Sequence, residues 1–343
     1  MRYRTVILFA LISLGIVTTF VLDLMWGAVT IPADEVIDAL VGNGGDHVHS
    51  YVVTNFRLPK ALTALIAGAG IATAGLQMQS LFRNPLADTS ILGINSGAGV
   101  GVAIYTMAYT LFPSLFMAGI TNTWGTIISA CIGALGVLLL ISLAASRLRD
   151  IVSVLIVGVM VGFLASSVIS ILQFFSDEES LKTYLLWSFG SVAGTTWKQL
   201  GLMIPIVSVG LVISLFMPKQ MNALNLGENY ARSVGTDVRT VRILLIGITG
   251  IITGCITAFV GPIAFLGMAV PHFVRIVFRT ADHKILIPGT MLSGTLLLLI
   301  CDILTQVPGR QFILPINAIT SIIGAPVVIL VIMGNRSKRQ IFG

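Results

Sequence analysis

About ten stretches of this chain are continuously apolar for close to 20 residues, the length a helix needs to cross the roughly 30 Å hydrocarbon core of a bilayer. They lie near 6–26, 61–82, 90–111, 124–146, 152–175, 199–217, 241–260, 262–279, 285–305 and 316–334. Inside lipid only helices and closed barrels satisfy their own backbone hydrogen bonds, and barrel strands alternate apolar with polar residues. These runs do not alternate, so they predict an all-α polytopic bundle with both termini on one side. The short connections make residues 1–343 a single transmembrane domain. Gly261-Pro262 divides a run too long for one helix. The first run is longer than the apolar region of a signal peptide and lacks a small-x-small cleavage site, so it is read as a span.

Charge then orients the bundle. With the N-terminus inside, the inner loops and span ends hold Arg2, Arg4, Arg83, Arg147, Arg149, Lys219, Arg232, Arg239, Arg242, Arg275, Arg279, Lys284, Arg336, Lys338 and Arg339. The outer ones hold Arg57, Lys60, Lys182, Lys198 and Arg310, together with the acids Asp34, Glu35, Asp38, Asp46, Asp177, Glu178 and Glu179. That asymmetry is the positive-inside pattern. The scattered basic residues show no aromatic-basic cluster, so nucleic acid is not an expected partner.

Glycine and serine recur at four-residue intervals within the spans: Gly93, Gly97 and Gly101, then Gly158, Gly162, Ser166 and Ser170. Small-residue ladders let helix backbones approach closely where lipid offers no hydrophobic drive for association. The hydroxyl end of the second ladder, Ser166 and Ser170, is also a candidate pathway wall. Asp302 reads as a lone acid near the outer end of its span, with no basic partner, which speaks against a proton relay. Cys131, Cys255 and Cys301 lie in apolar runs without disulfide or zinc spacing. His47 and His49 are the one spacing compatible with a metal or haem, and they are read as ordinary loop histidines. No bound metal or cofactor is expected.

Against this apolar background one inner loop is polar and helix-forming, Met221-Asn-Ala-Leu-Asn-Leu-Gly-Glu-Asn-Tyr-Ala-Arg-Ser-Val-Gly235 within about 218–240. Glu228 suits the start of a short helix, Arg232 is its i+4 neighbour and Gly235 suits a left-handed stop. The loop reads as a docking surface for a soluble partner. The chain has no Walker-type loop and no nucleophile–base constellation, so it is not an enzyme, and any ATP must be hydrolysed elsewhere.

The motifs Arg57-Leu-Pro-Lys60, Gly75-Leu-Gln-Met-Gln-Ser-Leu-Phe-Arg-Asn-Pro-Leu-Ala-Asp88, Leu92-Gly-Ile-Asn-Ser-Gly-Ala-Gly99, Trp187-Ser-Phe-Gly-Ser-Val-Ala-Gly194, Leu226–Gly235, Gly261–His272, Asp282-His283, Leu286-Ile-Pro-Gly289 and Gly324-Ala-Pro326 follow in order. Together they strongly resemble FecCD-like permeases of type II ABC importers, which carry iron–siderophore complexes, haem or vitamin B12. The resemblance implies a multi-pass permease of the bacterial cytoplasmic membrane, working as a homodimer or with a second, paired permease, together with two ATPase subunits that use ATP and Mg inside. A substrate-binding protein docks outside.

It also implies roles for particular residues. Gly227, Glu228, Ala231, Arg232 and Gly235 fall at the ATPase-coupling positions. Arg57 and Lys60 fall at the binding-protein docking positions, with Arg310 standing in where Gln306 replaces a third basic residue. The inner gate falls at Ile151, Val152 and Ser153. The family's Glu-x-Pro-x-Gly stretch carries Ile313 and Asn317 here. The expected cargo is an iron chelate, a ferric siderophore or haem, with cobalamin as the alternative. An ion-coupled secondary transporter is the rival of a different class, and it requires paired intramembrane charges.

Overall fold

The computed structural model describes residues 2–27, 29–42, 47–111, 123–148, 150–306 and 313–339. The regular elements among them are helices: α1 (Arg2–Met25), α2 (Ala33–Val41), α3 (His47–Val52), α4 (Leu58–Leu81), α5 (Ile94–Leu111), α6 (Thr123–Arg147), α7 (Ile151–Phe175), α8 (Glu178–Ser188), α9 (Trp197–Leu215), α10 (Pro218–Asn225), α11 (Glu228–Ser233), α12 (Val238–Val260), α13 (Leu266–Phe278), α14 (His283–Thr305) and α15 (Ile316–Arg339). A π-helical turn over Val53–Arg57 joins α3 to α4. Seven units are long and apolar enough to cross a membrane by length and composition: α1, the continuous α3–α4 unit, α6, α7, α9, α12 and α14. Helices α5, α13 and α15 stand where the other three spans are expected.

Helix α4 is the axis of the bundle, with almost every residue buried and neighbours α9, α12, α13 and α14 around it. Its polar side chains knit those neighbours together. Gln77 donates to Ser214 Oγ on α9 at 2.6 Å and accepts from Thr249 Oγ1 on α12 at 2.8 Å. Gln79 donates to Met268 O on α13 at 3.2 Å and accepts from Arg275. Each buried amide is thereby satisfied, as an apolar interior requires.

The Gly93–Gly101 ladder packs within the chain. A Cβ on Gly97 would overlap Val137 and Gly133 O, while one on Gly133 would overlap Gly97 O, so α5 and α6 touch backbone to backbone. Gly68 on α4 and Gly294 on α14 make a second such crossing.

The expected span 262–279 is helical only over α13, 13 residues. At 1.5 Å per residue that is about 20 Å, short of the hydrocarbon thickness. Gly261 takes φ +81° against Trp187 O, Pro262 follows, and Phe265 is left-handed at φ +64°. The interrupted backbone is satisfied by protein: Ser191 N donates to Val260 O at 2.7 Å, and Ala264 N donates to Asn317 Oδ1 at 3.0 Å. Asn317 is one of the two residues that depart from the family stretch, and its amide caps this break. Irregular backbone among apolar helices is tolerated where protein, not lipid, surrounds it.

Candidate functional site

Two polar assemblies stand at opposite ends of the bundle. At the end carrying α10 and α11, Gly227 begins α11 with φ +117° and Gly235 follows it with φ +82°. Thr236 N donates to Ala231 O at 2.9 Å and Gly235 N to Arg232 O at 3.0 Å, the paired bonds of a Schellman stop. A Cβ on Gly235 would meet open space, so φ is the constraint at this position. Ala231 is fully buried against the bundle.

The expected Glu228–Arg232 pair is present but loose, at 3.7 Å with Arg232 largely exposed. The tighter partner is Arg242 on α12, whose guanidinium is buried and lies 2.8 Å from Glu228 Oε1. Arg242 also donates to Leu148 O at 3.3 Å, so it holds α11, α12 and the end of α6 together. Sequence spacing alone does not reveal a contact 14 residues away across a turn. The large apolar residues exposed on this loop are Leu226, Tyr230 and Val234, at 69%, 48% and 54%. Leu226 closes α10, while Tyr230 and Val234 belong to α11 and its C-cap, so the break at Gly227 sets how the three stand relative to one another.

The loop is anchored to the bundle through Asn222 on α10. Its amide donates to Asp282 Oδ1 at 2.7 Å and its oxygen accepts from the His283 backbone N–H at 3.0 Å and from His283 Nδ1 at 2.6 Å. His283 Nε2 meets the Ser80 hydroxyl of α4 at 2.7 Å. Because Asn222 Oδ1 can only accept, the imidazole carries its hydrogen on Nδ1. The Lys284 backbone N–H and the Asn222 amide hold the Asp282 carboxyl below the usual carboxylate range. Asn222 and the His283 contacts were not legible as a site, since they join residues 80, 222 and 283.

Helix α7 begins beside this end. Asp150 caps it, accepting from Val152 N at 3.2 Å and from Ser153 N and Oγ at 3.1 and 3.2 Å. Of the expected gate residues Ile151 is buried, Val152 is exposed and the Ser153 hydroxyl is engaged by the cap. Farther along, Ser166 and Ser170 are exposed on a helix with few neighbours, whereas Gly158 and Gly162 lie against the backbone at Gly93.

At the opposite end, Arg57 and Lys60 are buried, each 7% exposed. Arg57 donates to Leu24 O at 2.7 Å, to Met25 O at 2.9 Å and to Val29 O. Lys60 Nζ lies 2.8 Å from Asp23 Oδ1 and 2.9 Å from Asp302 Oδ2. Gln306 completes the cluster: with its amide assigned so that the oxygen faces the Lys60 ammonium and the nitrogen faces Trp26 O 3.0 Å away, both ends find partners. Asp302 is therefore not a lone acid: α1 and α4 bring it an acid and a base from residues 23 and 60. In this arrangement the two cations fasten α1, α4 and α14 and are turned away from solvent. Arg310 lies outside the described residues. A cavity of about 380 Å³ opens above the cluster, with His49 at its wall. His49 Nδ1 on α3 is joined to Glu35 on α2.

Residues 15–334 match the FecCD transport family. The chain is 32% identical over 292 residues to the hemin transport system permease protein HmuU of Yersinia pestis, covering 84% of this chain and 85% of that one. It is 34% identical over 284 residues to the vitamin B12 import system permease protein BtuC of Escherichia coli O9:H4 (strain HS), covering 83% and 84%. It superposes with a TM-score of 0.82 and 30% identity on a metal-chelate type ABC transporter in an inward-facing conformation, covering 96% of this chain and 99% of that structure.

Proposed function

Because this chain belongs to the FecCD transport family, we propose that it is the permease through which an ATP-driven importer moves an iron chelate across the bacterial cytoplasmic membrane. The observation that carries this reading is the family match over nearly the whole chain, with the docking loop inside it. The alternative cargo is cobalamin, supported by the similarity to vitamin B12 permeases. The whole chain acts as one permease domain of ten spans with both termini in the cytosol, α13 completing its crossing through the extended stretch before it. Two copies form the path, with the exposed side of α7 and its Ser166 and Ser170 turned to the passage, and Ile151, Val152 and Ser153 at its inner mouth.

An ATPase subunit seats on the α10–α11 loop of each copy and uses ATP and Mg. The exposed Leu226, Tyr230 and Val234 supply the contact, Gly227 and Gly235 shape the helix, Ala231 and Glu228 (through Arg242) fix it to the bundle, and Arg232 stands exposed beside it. Movement of the loop passes through Asn222 and His283 to Ser80 on α4 and to α14. Outside, a substrate-binding protein meets the end stabilised by Arg57 and Lys60, which act from beneath that surface.

The ion-coupled rival gains one point from the structure, since Lys60 with Asp23 and Asp302 is a paired intramembrane charge set. Charge alone therefore does not separate the readings, and reconstitution does. With its ATPase and binding protein in vesicles, uptake should continue when the proton gradient is collapsed and stop when ATP is withheld; the reverse pattern sinks the proposal. The absorption spectrum of the binding protein's natural ligand decides the cargo: a Soret band, a siderophore charge-transfer band or a corrinoid spectrum.

A further inference from the structure

A second cavity, about 470 Å³, lies at the α11 end between the C-terminus of α6 and the N-terminus of α12. Arg147, Arg232, Arg239 and Arg242 line it. Arg239 donates to Ser146 O at 3.0 Å and Arg242 to Leu148 O at 3.3 Å, so both guanidiniums are held across the gap. The nearby acids are already engaged. Glu228 faces Arg242 and Arg232, while Asp150 and Asp237 cap α7 and α12. Arg147 and Arg232 remain exposed to the opening.

The cleft sits directly at the foot of an apolar wall. Ile128, Ile132, Leu135, Leu139 and Leu143 form one outward row along α6, each at least half exposed, and Arg147 is the next residue of that row. On α12, Leu244 and Ile251 face outward in the same way. A ligand that fits both features has a phosphate to bridge guanidiniums and acyl chains to run up the row. Arginine forks match phosphate oxygens in pairs, and basic pockets between spans at the cytosolic surface suit lipid head groups.

We propose that this cleft binds the phosphodiester of an anionic phospholipid from the cytosolic leaflet. It takes from the proposed function only that this end faces the cytosol. An acidic side chain of the ATPase is the less favoured occupant. On α11, Arg232 is turned about 200° from Tyr230 at 100° per residue, so the cleft and the exposed apolar face point different ways.

The test is native mass spectrometry of the delipidated, full-length permease–ATPase assembly offered phosphatidylglycerol, phosphatidylcholine or inorganic phosphate. Phosphatidylglycerol should be retained at least about tenfold over phosphatidylcholine, whose phosphodiester is the same but whose trimethylammonium brings a positive charge to a cleft of four arginines. Arg147→Gln with Arg239→Gln should abolish that preference, while Lys219→Gln with Lys284→Gln, equal in charge and away from the cleft, should preserve it. Equal retention of both lipids overturns the proposal, as does retention unchanged in the cleft variant. Full displacement by millimolar inorganic phosphate makes free phosphate the ligand and overturns the lipid assignment. Loss of the ATPase from the cleft variant with lipid retention intact assigns the cleft to the protein partner and overturns it likewise.

Discussion

Lys60 on α4 and Asp302 on α14 form a buried ion pair at 2.9 Å, with Asp23 of α1 on the other side of the same ammonium. Residues separated by 242 positions thus clamp three helices at one end of the bundle. Removing one partner from such a set leaves an uncompensated buried charge, a loss of about 3–5 kcal/mol. Lys60→Met should therefore lower the thermal stability of the detergent-solubilised permease sharply. The triple change Asp23→Leu, Lys60→Met, Asp302→Leu should restore much of it. If Lys60→Met leaves the melting temperature unchanged and weakens only binding-protein affinity, the lysine is a docking residue and the clamp reading is wrong.

The exposed face of the loop should behave oppositely. Leu226→Asp with Tyr230→Asp changes side chains that are exposed or half-exposed in this chain, so stability should change by about 0.5–1 kcal/mol at most. Association with the ATPase should fall at least about tenfold, because two charges enter an apolar contact. Co-purification of the two subunits reads this directly, and undiminished co-purification refutes the contact.

Glu228 and Arg242 should couple in a double-mutant cycle. Glu228→Gln and Arg242→Gln, singly and together, should give an interaction energy of about 0.5–3 kcal/mol in unfolding. The same cycle for Glu228 with Arg232 should give close to zero, since that pair is exposed and long. Equal values for both would return the i+4 pair to first place.

Asn222→Ala should leave the ATPase bound yet lower substrate moved per ATP. A change of 0.5–2 kcal/mol along a coupling contact corresponds to about 2- to 30-fold. Asp282, which holds the Asn222 amide, has its folded pKa below the usual value. Its contribution is therefore present above the ordinary carboxylate range and lost only as pH falls through the depressed value. The coupling ratio of the native protein should be flat between about pH 6 and 8 as far as this group acts. An unchanged ratio in the Asn222 variant, with the ATPase seated, would refute the transmission role.

Two glycines of α6 offer an internal comparison. Gly133→Leu drives a side chain into the α5 backbone, whereas Gly136 faces open space. Gly133→Leu should destabilise the permease by more than the 1–3 kcal/mol typical of overpacking, and Gly136→Leu should be nearly neutral. Similar effects from both, measured by thermal aggregation, would mean that α5 and α6 are not in backbone contact.

Much of this architecture was legible because lipid simplifies the code. A run of 20 apolar residues in hydrocarbon has few structures open to it, and glycine every fourth residue announces a close crossing whatever lies opposite. The loop at 221–235 stood out by contrast, and its stop at Gly235 followed from glycine's access to positive φ. The interruption before α13 was signalled by Gly261-Pro262, although its depth, and the use of Asn317 to cap it, were not.

By itself, then, the sequence determined the class of fold, the family motifs and the position of the polar α10–α11 loop, since each rests on local composition or on spacing within a few turns. Tertiary structure alone decided which charges meet: Lys60 with Asp23 and Asp302, Glu228 with Arg242, and Asn222 with His283. It also decided which loop residues face outward. The physical reason is that an ion pair or hydrogen bond is set by distances of about 3 Å, and helix packing brings together residues that no sequence interval connects. Arg57 and Lys60 carry the same residue types whether they dock a partner or lock three helices, and their burial against Leu24 O, Asp23 and Asp302 is a relationship that no sequence interval discloses.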